Sequence, residues 1–250
     1  MAVTTCRHFG GYKPCPLNPT CDTSCPHMSV PDKRVLIVHL EALGAVLRST
    51  ALLEPIKKKY PQSHITWVTK KPAPLLLQNL AAVDRILTTT PEDILALSAL
   101  EFDIAFVVDK SLTSAGIVRQ TRVGQVFGFT ADSRTGAILP ATSAAEELWQ
   151  IGLSDHKKFF ENKKPETQLI CEALELPDSR HDYQVVLSAK ELAASQTLRA
   201  QWAPKGEFIV GLNTGCAPVI PYKKLTVEMH RELAERLKSE LGVKVVLLGG

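Results

Sequence analysis

The sequence predicts an α/β fold built on an open parallel sheet, followed by the beginning of a second sheet of the same kind. Three observations predict it. Short apolar runs alternate with segments of helical period, the first run is apolar throughout, and the whole pattern restarts near residue 208.

The elements follow in order. "RVLIVHL" (34–40) is a continuous apolar run ending in a Glu-Ala-Leu-Gly turn, as expected of a strand buried on both faces. Val46, Thr50, Leu53, Ile56 and Tyr60 then recur at helical spacing, and Pro61 ends the helix. "HITWVT" (64–69), "VDRILT" (83–88), "FDIAFVVD" (102–109) and "RVGQVFGF" (122–129) read as further strands, with a helix from about 113 to 121. Amphipathic helices are expected at 142–152 and 165–175, then the apolar run "YQVVLS" (183–188) and a helix ending near Trp202. "APKGE" (203–207) has the composition of a linker. Beyond it come "FIVGLN", a loop, a helix over 226–241 and "VKVVLLGG". This order divides the chain into an irregular segment (1–30), a first domain (31–203) and the start of a second (204–250). A lone β-α-β unit cannot cover both faces of its sheet, so the second domain is expected to be truncated.

With 45% hydrophobic and 22% charged residues and a net charge of +3, the chain has the balance of a globular protein and not of a dedicated nucleic-acid binder. No apolar run is long enough to span a bilayer, and charged and turn residues interrupt the N-terminus where a signal peptide would need an apolar core. The expected location is the cytoplasm.

Cys6, Cys15, Cys21 and Cys25 crowd into a segment too poor in apolar residues to form a core. In the absence of an export signal, clustered thiols predict a metal site more than disulfides. The C-x8-C-x5-C-x3-C spacing suits tetrahedral zinc, the commoner use of a small thiolate knot and the preferred reading; a [4Fe–4S] cluster, which also takes four cysteines and often has proline after its ligands, is the alternative. His8 and His27 are substitute ligands. An RNA-binding finger would interleave aromatic and basic residues, and Phe9 and Tyr12 are the segment's only aromatics.

Ligands of an open parallel sheet bind at the carboxyl ends of its strands. Three loops are thereby selected: Glu41 to Val46, where Gly44 permits a tight turn before a helix; the stretch around Asp109 and Lys110; and Asn213, Thr214, Gly215 through Lys224, which suits a phosphate cradle. Neither glycine-bearing loop has the spacing of a dinucleotide or P-loop fingerprint.

The words and their order resemble those of glycosyltransferase family 9, the heptosyltransferases that build lipopolysaccharide core. The resemblance runs from "RVLIVHLEALGAVLRSTALLEPIKKKYPQSHITWVT" through "FDIAFVVDKS" and "RVGQVFGF" to "GLNTGCAPVIPYKKLTVEMHRELAERLKSELGVKVVLLGG", roughly residues 33–250. It implies two Rossmann-like domains in the GT-B arrangement, the acceptor on the first and an ADP-sugar on the second. It further implies inverting transfer of a heptose-type sugar to a lipopolysaccharide core or related glycan, at the inner membrane surface where that acceptor is lipid-linked. Lys223 matches the family's lysine that contacts donor phosphates, beside the loop of Asn213, Thr214 and Gly215.

One departure matters. Ala45 stands where the family's turn carries an aspartate thought to be the base, and alanine cannot take a proton. Glu41 and, more weakly, Asp109 are the replacement candidates. Gly44, Lys70, Lys71, Arg119 and Arg122 are the candidate contacts to acceptor phosphates. The competing reading is a non-catalytic sugar-nucleotide or glycan-binding relative that lost its base with Ala45.

Overall fold

In the computed structural model, residues 3–177, 181–215 and 224–249 are described. The chain divides into two compact units, Met1–Val186 and Leu187–Gly250.

The first unit is organised by a six-stranded sheet of order β3-β2-β1-β4-β5-β6. Its strands are β1 (Arg34–Val38), β2 (His64–Val68), β3 (Arg85–Leu87), β4 (Glu101–Val107), β5 (Arg122–Ala131) and β6 (Ile138–Pro140). The first five are parallel, and β6 returns antiparallel to β5. The unbroken apolar character of β1 follows from its place at the centre, where both faces are covered. Val35 and Ile37 face one core with Trp67 and Phe106; Leu36 and Val38 face the other with Val68, Ala105 and Val107.

The first core is closed by α1 (Leu43–Ser49) and α2 (Leu53–Lys59), joined by a short 3-10 turn, together with α6 (Glu146–Gly152) and α7 (Glu166–Ala173). The second is closed by α4 (Pro91–Ser98) and α5 (Leu112–Arg119), while α3 (Pro74–Leu77) is a single turn after β2. Thr90 and Ser111 cap α4 and α5 by accepting hydrogen bonds from the N–H groups of Asp93 and Ser114. Residues 183–186 run extended without joining a sheet. Thr50 Oγ1 accepts from Gln184 N at 2.7 Å, and Asn79 Nδ2 donates to Val186 O at 2.9 Å.

The second unit comprises α8 (Ala189–Trp202), β7 (Ile209–Asn213), α9 (Val227–Leu241) and β8 (Lys244–Leu248), with β7 and β8 paired in parallel. A capping box of Ser188 and Glu191 opens α8, and Gly242, in the left-handed region, closes α9. The sequence places α8 at the end of the first domain. In the structure it falls in the second unit, with none of its residues buried. The cysteine segment, in turn, is part of the first unit. Among the described residues no helix is long and apolar enough to cross a membrane.

Candidate active site

The sheet order reverses between β1 and β4, so the crevice at their carboxyl ends is the switch point of the first unit. Asp109, two residues beyond β4, reaches across this point and accepts the N–H of Leu40 with Oδ2. Its Oδ1 lies 3.6 Å from His39 Nε2, close but beyond hydrogen-bonding distance. Burial pushes the Asp109 carboxyl up to about 6; Glu41 adds to the rise, while the Leu40 N–H, Lys110 and Lys70 oppose it. The same charges that bear on Asp109 are the candidates drawn from the loops, so the fold brings Glu41, Lys70 and Asp109 together.

Glu41 stands at the rim, its side chain 67% exposed, with Oε1 accepting from Lys70 Nζ at 2.8 Å. The Lys70 backbone N–H donates to Leu40 O, which fixes the loop after β2 beside the loop after β1. Gly44 lies in the first turn of α1, where its carbonyl accepts from Arg48. Arg48 also pairs with Glu166 of α7 at 2.8 Å.

His39 is a buried histidine whose Nδ1 meets Ser49 Oγ at 2.7 Å. Burial holds it at about 4, with Glu166 opposing and Arg48 and Lys110 reinforcing the fall, so it is neutral near pH 7. Lys110 lies over the Phe129 ring, 4.5 Å from its centre, and burial lowers its pKa. The sequence reading names none of His39, Ser49, Arg48 and Glu166 as site residues. Nothing in the chain signals Glu166 as a neighbour of Arg48, 118 positions away.

The other expected contacts scatter. Lys71 is exposed and acts on Asp93 instead. Arg119 is spent on the carbonyl of Ala131. Arg122 begins β5 and pairs with Glu101 at 2.7 Å, at the amino end of the sheet, the opposite end from Asp109. In the second unit Asn213 Oδ1 accepts from Gly215 N, and Thr214 is tied by both N–H and hydroxyl to Leu248 O. Lys223 lies outside the described residues.

The four N-terminal thiols converge on one small cavity, also lined by His8, His27 and Asn18, and form no disulfide. Asn18 Nδ2 donates to Cys25 Sγ at 3.2 Å. Desolvation and then the neighbouring thiols of Cys15, Cys25 and Cys6 raise the Cys21 pKa. Among the described residues, however, no group of three or more His, Cys, Asp or Glu side chains has the arrangement of a metal-binding set, so the expected zinc or iron–sulfur site is not shown. Arg7 holds the segment against the sheet unit, its Nη2 donating to Gln62 O and Ser63 O at 2.8 and 2.9 Å.

The architecture has counterparts among solved structures. A family 9 glycosyltransferase from Veillonella parvula matches 89% of this chain with a TM-score of 0.67 at 16% identity. The E. coli ADP-heptose lipopolysaccharide heptosyltransferase II matches 87% with a TM-score of 0.58 at 19% identity, and E. coli heptosyltransferase WaaC with ADP matches 87% at 0.54 and 19%. The fold is that of the GT-B glycosyltransferases. At such identities the likeness is one of fold, and the chain spans 64%, 64% and 67% of those three chains respectively. No family model matches the sequence, and no curated protein matches it. Within the GT-B fold, the crevice holding Asp109 belongs to the first unit and the loop from Asn213 to the second.

Proposed function

We propose that this protein is a glycosyltransferase that moves a heptose-type sugar from an ADP-sugar to a lipopolysaccharide-core or related glycan acceptor. The observation that carries the reading is a carboxylate pushed up to about 6 at the switch point of a glycosyltransferase fold. A carboxylate of that basicity, with Ala45 unable to serve, suits general-base work near neutral pH. Asp109 takes the proton of the acceptor hydroxyl, the freed oxygen bonds to the anomeric carbon, and the bond from that carbon to the diphosphate breaks. ADP departs with the electron pair, and configuration inverts. The Leu40 N–H orients Asp109, while the Glu41–Lys70 pair holds the rim. Lys70 is the preferred acceptor contact; Asn213, Thr214, Gly215 and Lys223 are assigned to the donor diphosphate.

Asp109→Asn is expected to lower the transfer rate by about 10²–10⁴-fold, and the wild-type rate to fall as pH drops through about 6, where the base becomes protonated. Glu41→Gln is expected to cost less. Transfer measured with ADP-heptose checks both. Unchanged turnover in Asp109→Asn would return the role to Glu41, and binding of ADP-sugar without any turnover would favour a non-catalytic relative that lost its base with Ala45.

We also propose that Cys6, Cys15, Cys21 and Cys25 hold one zinc ion or one iron–sulfur cluster. Support comes from four thiols sharing one cavity without a disulfide. Metal analysis of the purified chain is expected to find one zinc, or iron with visible absorbance, lost in Cys15→Ser. Four thiols titrating freely in the native chain would rule it out.

A further inference from the structure

A cavity of about 670 Å³ opens beneath the sheet, at the end opposite Asp109. Its walls include the first residue of each of the five parallel strands: Arg34, His64, Arg85, Glu101 and Arg122. Arg7 and neighbouring residues of the cysteine segment form a further wall, and Leu87, Leu100 and Phe102 give it an apolar side.

Strand register explains the crowding of charge. Arg34 pairs with His64 across β1 and β2, and Thr66 pairs with Arg85 across β2 and β3. His64 and Thr66 are two apart on one strand, so all four side chains leave the same face of the sheet. Further along that face stand Leu36 and Val38, in an apolar core. The cavity is where this face turns polar. Thr66 is fully buried there, and its hydroxyl has no hydrogen-bond partner among the described residues.

The positive charges are only partly matched. Arg7 is paired with Asp84 at 3.8 Å and Arg122 with Glu101 at 2.7 Å. Asp103 is spent on Lys33 and on the backbone N–H of Arg34. The guanidinium groups of Arg34 and Arg85 have neither an ion pair nor a side-chain hydrogen bond among the described residues. Burial and then Arg34 lower the Arg85 pKa, and burial holds His64 at about 4, so the histidine adds no charge near pH 7. Asp84, already paired with Arg7, is the negative charge that bears on Arg85, so the two half-buried arginines that repel one another are left short of an anion.

We propose that this cavity is a second binding site, for a soluble compound carrying a diphosphate or two neighbouring phosphates, clamped by Arg34 and Arg85. Guanidinium forks match phosphate oxygens two at a time. Their Cα atoms are two strand spacings apart across the sheet and two residues apart along it, about 12 Å, a span that two converging side chains close on a diphosphate more readily than on a single phosphate. The site is independent of sugar transfer and stands whether or not Asp109 is a base.

Calorimetric titration of the whole chain with inorganic pyrophosphate tests it. The wild type is expected to bind, and Arg34→Gln with Arg85→Gln to bind at least about tenfold more weakly. Arg134→Gln, at an exposed arginine outside the cavity, is expected to retain this binding. Without added anion, Arg85→Gln is expected to melt at or above the wild-type temperature, because it removes repulsion. Should the double Gln variant fail to fold, Arg34→Lys with Arg85→Lys keeps the charge and loses the forks, and is expected to bind more weakly than wild type. Equal binding by the folded variants, no binding by wild type, or an equal loss of binding in Arg134→Gln would overturn the proposal. So would arginine-dependent binding to phosphatidylglycerol vesicles without pyrophosphate binding, since that would make the cluster a membrane contact.

Discussion

Asp109 and His39 are neighbours whose burial moves their proton affinities in opposite senses. The Asp109 carboxyl sits at about 6 in the folded chain, against about 3.9 unfolded, so between those values the folded chain holds the extra proton and stability falls as pH rises. His39 sits at about 4 against about 6.5 unfolded, so over that interval the unfolded chain holds the extra proton and stability rises with pH. His64, also held at about 4, acts in the same sense as His39. Two rising contributions against one falling leave a net loss on acidification from about 6.5 to 4, on the order of 1–3 kcal/mol. Asp109→Asn removes the opposing contribution and is expected to steepen that loss; urea denaturation at pH 4.5 and 7.5 compares the two. A variant with the wild-type acid sensitivity would count against a raised carboxyl. Of these residues, Asp109 and Glu41 were legible in the sequence because strand-end carboxylates follow from the pattern. Their ranking was not, because it depends on burial: Glu41 points to solvent and Lys70, while Asp109 is folded under Leu40.

At the level of elements, β4 and β5 lie so close that a side chain is forbidden at one point between them. Gly128 has a positive φ of 88°, and a Cβ there would stand 2.0 Å from Val107 O and 3.0 Å from Leu174 Cδ2. Neither backbone can yield without opening the ladder that pairs Val107 with Gly128. Gly128→Ala is therefore expected to destabilise the first unit by about 2–4 kcal/mol, combining strain with overpacking. A thermal melt compared with Gly116→Ala, where added bulk meets nothing within 4 Å, separates this from a general cost of replacing glycine. The strands were readable to within two residues because their apolar runs are bounded by charge and turn residues. Helix α4 was not singled out, although Thr90, Pro91 and Asp93 spell its start, and β6 is too short to carry a period.

Across the whole molecule, the parallel sheet and the restart of the pattern were legible, and the boundary between the units was not. "APKGE" has the composition of a linker, yet the division falls at Val186, with α8 in the second unit. Arg122 was also misjudged. Its charge is visible in sequence, but which end of the sheet it occupies depends on the direction of β5, and that end carries the cavity with Arg34 and Arg85.

The central position of β1 bears on the order in which the chain is made. Its neighbour β2 follows within a short distance, but Val35 pairs with Ile104, so 69 further residues must leave the ribosome before β4 can cover its other edge. At ~5–20 residues per second that is a wait of about 3–14 s. Throughout it, Val35, Leu36, Ile37 and Val38, all fully buried in the end, present an open apolar edge. Slowing of translation between β2 and β4 is therefore expected to lengthen the exposure of that edge and raise the aggregated fraction, which pelleting of the freshly translated chain measures.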